Sequence, residues 1–403
     1  MKKIVTTFLI GIVLCPSLIF SQQKGYEITG YINGLKEGEK VVSYVLSESG
    51  PGIKGDSAYV KNGVFVMKGI VPDGPREYLL SFDKHLPSPQ LHIDINNGEK
   101  IIVRCEMSVD SVFHSFMDDF VYIQGAKYNE SLSALLPAYH LYRRATINLE
   151  KYADKLLDSI GFNGPLLNIV FENLEQVNKA LTTEIFAPRP NQVRNPETLL
   201  SQLFLVPGLL ERSFHSSYLA GRYGTLTEDE KNSYYGKLLK TYVPLCAGQP
   251  FPEFVLPDAD GKQLALKDIV AKGKLTLVHF WSANSYQRKK YEDELKILYK
   301  KYHDQGLNIV GVSSDRYGEQ WKEALQAEKF PWYNVADLKP KEQSRVNNVY
   351  HEYSPDDNPD IHNTTNVLID AQGKIIAWDA NGARLQWLLW KYMEQQQLQQ
   401  KGF

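Results

Sequence analysis

The stretch KLTLVHFW, ending at Trp281, is apolar almost without a break. A strand with one wet face alternates apolar and polar residues. A strand without that alternation must be covered on both faces, the situation of parallel sheets clad by helices. A charged segment follows in which Tyr291, Leu295, Leu298 and Tyr302 recur at helical spacing, with Gly306 placed to stop the helix. LNIVGVSSD repeats the buried-strand pattern and EQWKEALQAEKF the helical one. TNVLIDAQGKIIAW reads as a hairpin turning at Gln372-Gly373, and ARLQWLLWKYMEQQ as a last helix in which Trp387, Leu388 and Trp390 are packing residues. Residues 246–403 therefore predict strand–helix–strand, then strand–strand–helix, an α/β unit.

Upstream the pattern changes twice. Residues 22–128 alternate apolar and polar positions in YEITGYING, KVVSYVLSE, AYVKNGVFVMKG, EYLLSF, LHIDINNGEKIIVRC and DFVYIQG. Asn62-Gly63 and Asn97-Gly98 are hairpin signals between such runs, and a sandwich-like all-β domain is expected. Residues 129–245 carry helical periodicity and read as a connector. In TLTEDEKNSYYGKLLKTYV, Thr227 precedes Glu228, Asp229 and Glu230, acids suited to a helix N-terminus. At 403 residues the chain is long enough for two or three such units.

Residues 1–21 read as a secretory signal: Lys2 and Lys3, an apolar run from Ile4 to Phe20 broken by Pro16, and a cut near Ser21-Gln22. The expectation is export to the cell envelope with no membrane span after cleavage. Lipid attachment at Cys15 is disfavoured, because bulky Leu14 precedes it and apolar residues follow it. The net charge is −2, or −4 once Lys2 and Lys3 are removed with the leader. With no basic stripe interleaved with aromatics, a nucleic-acid partner is not expected. Cys105 and Cys246 fall in different predicted units and are expected as separate buried thiols.

The segments GQPFPEFVLPDADGKQLALKDI (Gly248–Ile269), LVHFWSA and VLIDAQGKIIA (Val367–Ala377) resemble the entry, central strand and final hairpin of TlpA-like thiol–disulfide oxidoreductases and their AhpC/TSA relatives. NGVFVMKG, YIQGA and SYYGKLL resemble the β-domain and helical linker that precede such a domain in secreted bacterial proteins. The resemblance implies a multi-domain α+β chain whose C-terminal unit has the thioredoxin-like fold. It also implies a redox activity that the residues do not support. The family carries Trp-Cys-x-x-Cys after the central strand; aligned on Trp281, its positions hold Asn284, Ser285 and Arg288. A hydroxyl cannot exchange disulfides, and arginine removes the resolving thiol. The family's cis-proline is replaced by Thr364, so a trans bond is expected at Asn363-Thr364.

Each remaining polar group has an ordinary reading. Asn284 or Ser285 is expected to cap the following helix, with Gln287 at capping-box spacing from Asn284. No Gly-x-Ser-x-Gly surrounds Ser285 to make it a nucleophile. Arg288, Lys289 and Arg316 are read as solvated charge rather than an anion site. Asp356, Asp357, Asp360 and His362 have no known metal-ligand spacing and are read as turn residues. His279 is a satisfied core histidine. No cofactor motif is present, and oligomeric state is not legible. The expected role is non-catalytic binding of an envelope polypeptide or small ligand by Trp281, Asn284, Ser285, Arg288 and Thr364. The alternatives are the family's redox activity, and a structural or interaction role for the β-domain.

Overall fold

The computed structural model describes residues 25–47, 50–82, 90–109, 121–127, 149, 152–185, 220–221, 223–285, 288–340, 343–350, 366–378 and 380–395. The N-terminal unit is a sandwich of two four-stranded sheets. Its strands are β1 (Tyr26–Ile32), β2 (Lys40–Ser47), β3 (Gly50–Tyr59), β4 (Phe65–Gly69), β5 (Arg76–Phe82), β6 (Gln90–Ile95), β7 (Lys100–Cys105) and β8 (Val121–Gln124). One sheet has the order β4-β1-β7-β8, the other β3-β2-β5-β6. Ile28, Val60, Phe65, Met67, Leu80, Phe82, Leu91 and Val103 fill the space between them and are fully buried.

Both Asn-Gly turns form, with Asn62, Gly63 and Gly98 at positive φ. Asn62-Gly63 closes a tight hairpin turn, Lys61 and Val64 exchanging backbone hydrogen bonds at 2.8 and 3.1 Å, but the pairing stops at that one bridge, and Asn97-Gly98 joins strands of different sheets. β3 and β4 lie in different sheets, as do β6 and β7, and β1 instead pairs with β7 in parallel. The turn chemistry sets only the reversal. The apolar faces of Val60 and Phe65 then send the two arms to opposite sides of one core.

The described connector comprises a helical stretch over 152–160, α1 (Gly164–Ile185), α2 (Glu228–Asn232) and α3 (Tyr234–Tyr242). A helix starts at the acids after Thr227 as expected, and Thr227 and Glu230 add a capping box that was not read in the sequence. The single helix expected there is broken at Ser233, whose extended backbone ends α2 and whose hydroxyl caps α3 by accepting the Gly236 N–H. At this break the sandwich docks. The Tyr234 N–H donates to the Asp73 carbonyl at 2.8 Å, and the Arg76 guanidinium lies 3.4 Å from the Tyr234 ring centre.

The C-terminal strands are β9 (Val255–Pro257), β10 (Gln263–Ala265), β11 (Leu275–Trp281), β12 (Leu307–Ser313), β13 (Tyr333–Ala336), β14 (Asn366–Asp370) and β15 (Ile375–Trp378). The helices are α4 (Leu266–Val270), α5 (Arg288–Tyr302), α6 (Gly318–Glu328), α7 (Arg345–Tyr350) and α8 (Gly382–Trp390). The five-stranded sheet has the order β13-β12-β11-β14-β15, with β11, β12 and β13 parallel and the last two strands antiparallel. Every residue of β11 and β12 is buried, as their apolar runs require.

On one face Leu275, Leu277 and Ile309 meet α5 and α8. On the other, Val278, Phe280 and Val312 meet Tyr235 and Leu239 of α3, Leu266 of α4, and Val346 and Tyr350 of α7. α1 belongs to the first of these cores: the Trp387 indole N–H donates to Asn168 at 3.0 Å and the ring packs on Phe171. Gly306 is left-handed and ends the α5 segment after a short turn at His303–Gln305.

Candidate functional site

β11 delivers Phe280 and Trp281 to the carboxyl end of the parallel strands. Trp281 is buried and meets Phe330 edge-on at 5.2 Å. Across the strands sits Gly311, where a Cβ would collide with the Asn334 side chain and come within 3.0 Å of the Trp281 indole nitrogen. Glycine is required there by space, not by backbone angle.

Beyond Trp281 the chain turns on a buried carboxylate that sequence reasoning did not single out. Asp315 accepts hydrogen bonds from the Ser282 hydroxyl (2.7 Å), the Ser313 hydroxyl (2.7 Å) and the Ala283 N–H (3.0 Å). This ties the end of β11 to the end of β12 and fixes the direction in which the chain enters the next turn. The two serines just before an aspartate in SSD were the local signal.

Asn284 is exposed and Ser285 half-buried. The expected cap is not made by either side chain. The Asn284 amide donates sideways to Gln320 at 3.3 Å, and Ser285 Oγ has no hydrogen-bond partner. The backbone carbonyl of Ser285 takes the Arg288 N–H instead, at 3.3 Å. Among the described residues no base is hydrogen-bonded to Ser285 Oγ, as an activated nucleophile would require.

Arg288 departs from its expected role as solvated charge. Its side chain is 16% exposed, its Nη2 is 3.3 Å from Glu328 Oε1, and its Nε is 3.6 Å from Glu292 Oε2. The guanidinium also sits 5.8 Å from the Trp281 ring centre. Lys296 shares Glu328 at 2.9 Å, and that hydrogen bond holds the Glu328 carboxyl below its usual range. Glu292 is completely buried, and neither of its oxygens receives a hydrogen bond. Burial pushes its carboxyl up to about 7 against the pull of Arg288. An incoming anion would have to displace the Glu328 carboxylate from Arg288, beside a Glu292 that is only partly ionised near neutral pH.

His279 is fully buried, with Nδ1 2.8 Å from Asn366 Oδ1, and desolvation lowers its pKa to about 4. It is a neutral core residue, but only half satisfied: among the described residues its buried Nε2 has no hydrogen-bond partner, against the expectation of a fully satisfied histidine. Cys105 and Cys246 are buried free thiols, and burial raises the Cys105 thiol. Gln287, Asn363, Thr364 and the Asp356, Asp357, Asp360 and His362 group lie outside the described residues. Among the described residues, no group of three or more His, Cys, Asp or Glu is placed to hold a metal. No described helix is long and apolar enough to cross a membrane.

Comparison with known proteins gives two family matches: the AhpC/TSA family over residues 247–378, and a domain of unknown function, DUF4369, over residues 26–132. Thiol-disulfide oxidoreductase ResA from Bacillus thuringiensis (strain Al Hakam) is 34% identical over 68 residues, 17% of this chain. That match spans 38% of the length of the curated relative. A solved thiol:disulfide interchange protein from Bacteroides sp. is 30% identical over 37% of this chain and 91% of that chain, with a TM-score of 0.32. A solved thiol-disulfide oxidoreductase from Bacteroides fragilis is 26% identical over 36% of this chain and 98% of that chain, also with a TM-score of 0.32.

Proposed function

Because residues 247–378 form a thioredoxin-like domain of the AhpC/TSA family, preceded by a DUF4369 domain, we propose that this chain keeps the family's fold for binding and not for thiol–disulfide exchange. The observation that carries the reading is the state of the two cysteine positions. One holds Ser285. The other holds Arg288, committed to Glu292 and Glu328 and lying beside Trp281. Exchange needs a thiolate at the head of α5 and a second thiol one turn on. Cys105 lies in the sandwich core and Cys246 in the core beneath α3.

The surface left at the head of α5 presents Asn284 and Gln320 beside exposed Tyr317, with the Ser285 hydroxyl buried behind them. These are neutral hydrogen-bonding groups with an aromatic edge, suited to the backbone of a polypeptide or to a small polar ligand. With residues 1–21 taken as a leader, the proposed encounter is set in the cell envelope. A photoreactive amino acid at exposed Asn284, with exposed Lys262 as the control position, tests the reading in envelope preparations. The expected result is a defined adduct from position 284 that is absent from 262 and is competed away by unlabelled protein. Identical adducts from both positions, or none from folded protein, would overturn it.

A further inference from the structure

A cleft of ≈ 410 Å3 lies away from the head of α5, between the chain entering β9, the segment after β13, and α7. Its apolar lining includes Phe254, Val346 and Tyr350, all buried in the core shared with Val278 and Phe280. α5 packs on the opposite sheet face, with Leu275 and Leu277. The Tyr350 hydroxyl is already used, donating to the Pro252 carbonyl at 2.6 Å, so it offers no free donor and its buried ring only backs the floor, whereas Val255 and Val349 of the lining are accessible.

Two acids, Glu253 and Asp337, and two bases, Lys339 and Arg345, line the cleft, and they differ in what they already bind. The acids are occupied from within: Glu253 accepts the Lys267 N–H at 3.0 Å, and Asp337 accepts the Lys339 N–H at 3.4 Å. The bases are not. Lys339 and Arg345 also line the cleft, and both are exposed. Neither side chain has a carboxylate partner among the described residues. The volume falls in the usual range for small-molecule sites, about 300–1,000 Å3, and the mixture of an apolar floor with a few convergent polar groups is typical of them. Arginine with unused donors is suited to a carboxylate, which it can bind through two parallel hydrogen bonds.

We propose that this cleft binds an organic carboxylate with an apolar body, the carboxylate held by Arg345 and Lys339 and the apolar part against Val255 and Val349, over the buried Phe254, Val346 and Tyr350. The same chemistry is offered by a free small acid and by the carboxy terminus of a peptide ending in an apolar residue. The inference does not depend on the role assigned to the head of α5.

The test is methyl NMR on the full chain labelled at valine and leucine, with Val255, Val346 and Val349 as reporters in the cleft. Hydrocinnamate is titrated against phenylpropylamine, which has the same body and the opposite charge. N-acetyl-Gly-Gly-Phe is titrated as the acid and as the C-terminal amide. Saturable shifts at these methyls from the acids alone, weakened about tenfold by Arg345→Gln, are the expected result. Tighter binding of the peptide acid than of hydrocinnamate identifies a peptide terminus as the source; weaker binding identifies a free acid. Arg345 is exposed, so the unperturbed remainder of the spectrum reports that the variant is folded. No saturable shift with either acid, equal binding of the amine or amide, or an Arg345→Gln variant that binds like wild type would each overturn the proposal.

Discussion

The head of α5 and the Glu253–Tyr350 cleft both adjoin the carboxyl ends of the parallel strands, and they treat charge in opposite ways. At α5 the arginine is mostly buried and meets two carboxylates, one of which also holds Lys296. In the cleft the acids are engaged by backbone N–H groups, and Arg345 and Lys339 extend into solvent. A ligand site in an open α/β sheet is expected at this edge. The contrast teaches that the inherited position need not be the one with unused charge. The α5 side is neutralised internally and can offer chiefly neutral hydrogen bonds, whereas the cleft can offer cations.

The comparison breaks first if the α5 side is not braced as described. Asp315→Ala leaves two buried hydroxyls and one N–H without their acceptor. It should cost about 3 kcal/mol in denaturant unfolding; a loss below about 1 kcal/mol would mean that the turn is held by something else.

A smaller effect should come from Glu292. Its carboxyl is raised from 4.5 to about 7 in the folded chain by burial, with Arg288 and Lys296 opposing and Glu328 and Asp293 reinforcing the shift. The folded state therefore favours the protonated acid. That contribution is complete below the ordinary carboxyl range and is lost as pH rises through about 7. Between about pH 5 and pH 8, wild type should lose roughly 2 kcal/mol of stability relative to Glu292→Gln. A difference between the two that does not vary with pH would remove Glu292 as a titrating group.

The smallest effect is expected at Ser285. Its hydroxyl makes no hydrogen bond, so Ser285→Ala should change stability by no more than about 0.5 kcal/mol. A larger loss would show that the hydroxyl is used as a cap after all.

Much of the fold was legible in the sequence because the relevant signals are local. The unbroken apolar runs of β11 and β12, the helix start at the acids after Thr227 and the Gly306 and Gly373 turns all act over a few residues. Sheet partnership was not legible. The turns at Asn62-Gly63 and Asn97-Gly98 look alike whether their arms pair with each other or with strands of the opposite sheet. The break at Ser233 was missed because the apolar spacing continues through it, and a serine that caps reads like one on a solvated face.

At the site, the two residues on which the reading of a lost dithiol rests, Ser285 and Arg288, are shown directly by the sequence. The fate of Arg288 is not. Its i,i+4 partner Glu292 was within reach of a helical reading, but Glu328 comes from the far end of another helix. The cleft brings together residues 253–256, 337–339 and 345–350, separated in sequence by the β11–β13 core, and no motif marks such a convergence.

The most direct test of the central claim is catalysed reduction of insulin disulfides by the full chain with dithiothreitol as reductant. The account predicts a rate no higher than dithiothreitol alone, unchanged in Cys105→Ala and Cys246→Ala variants. Turnover above that background which disappears in Cys246→Ala would contradict it, because a working thiol would then exist away from the two positions at the head of α5.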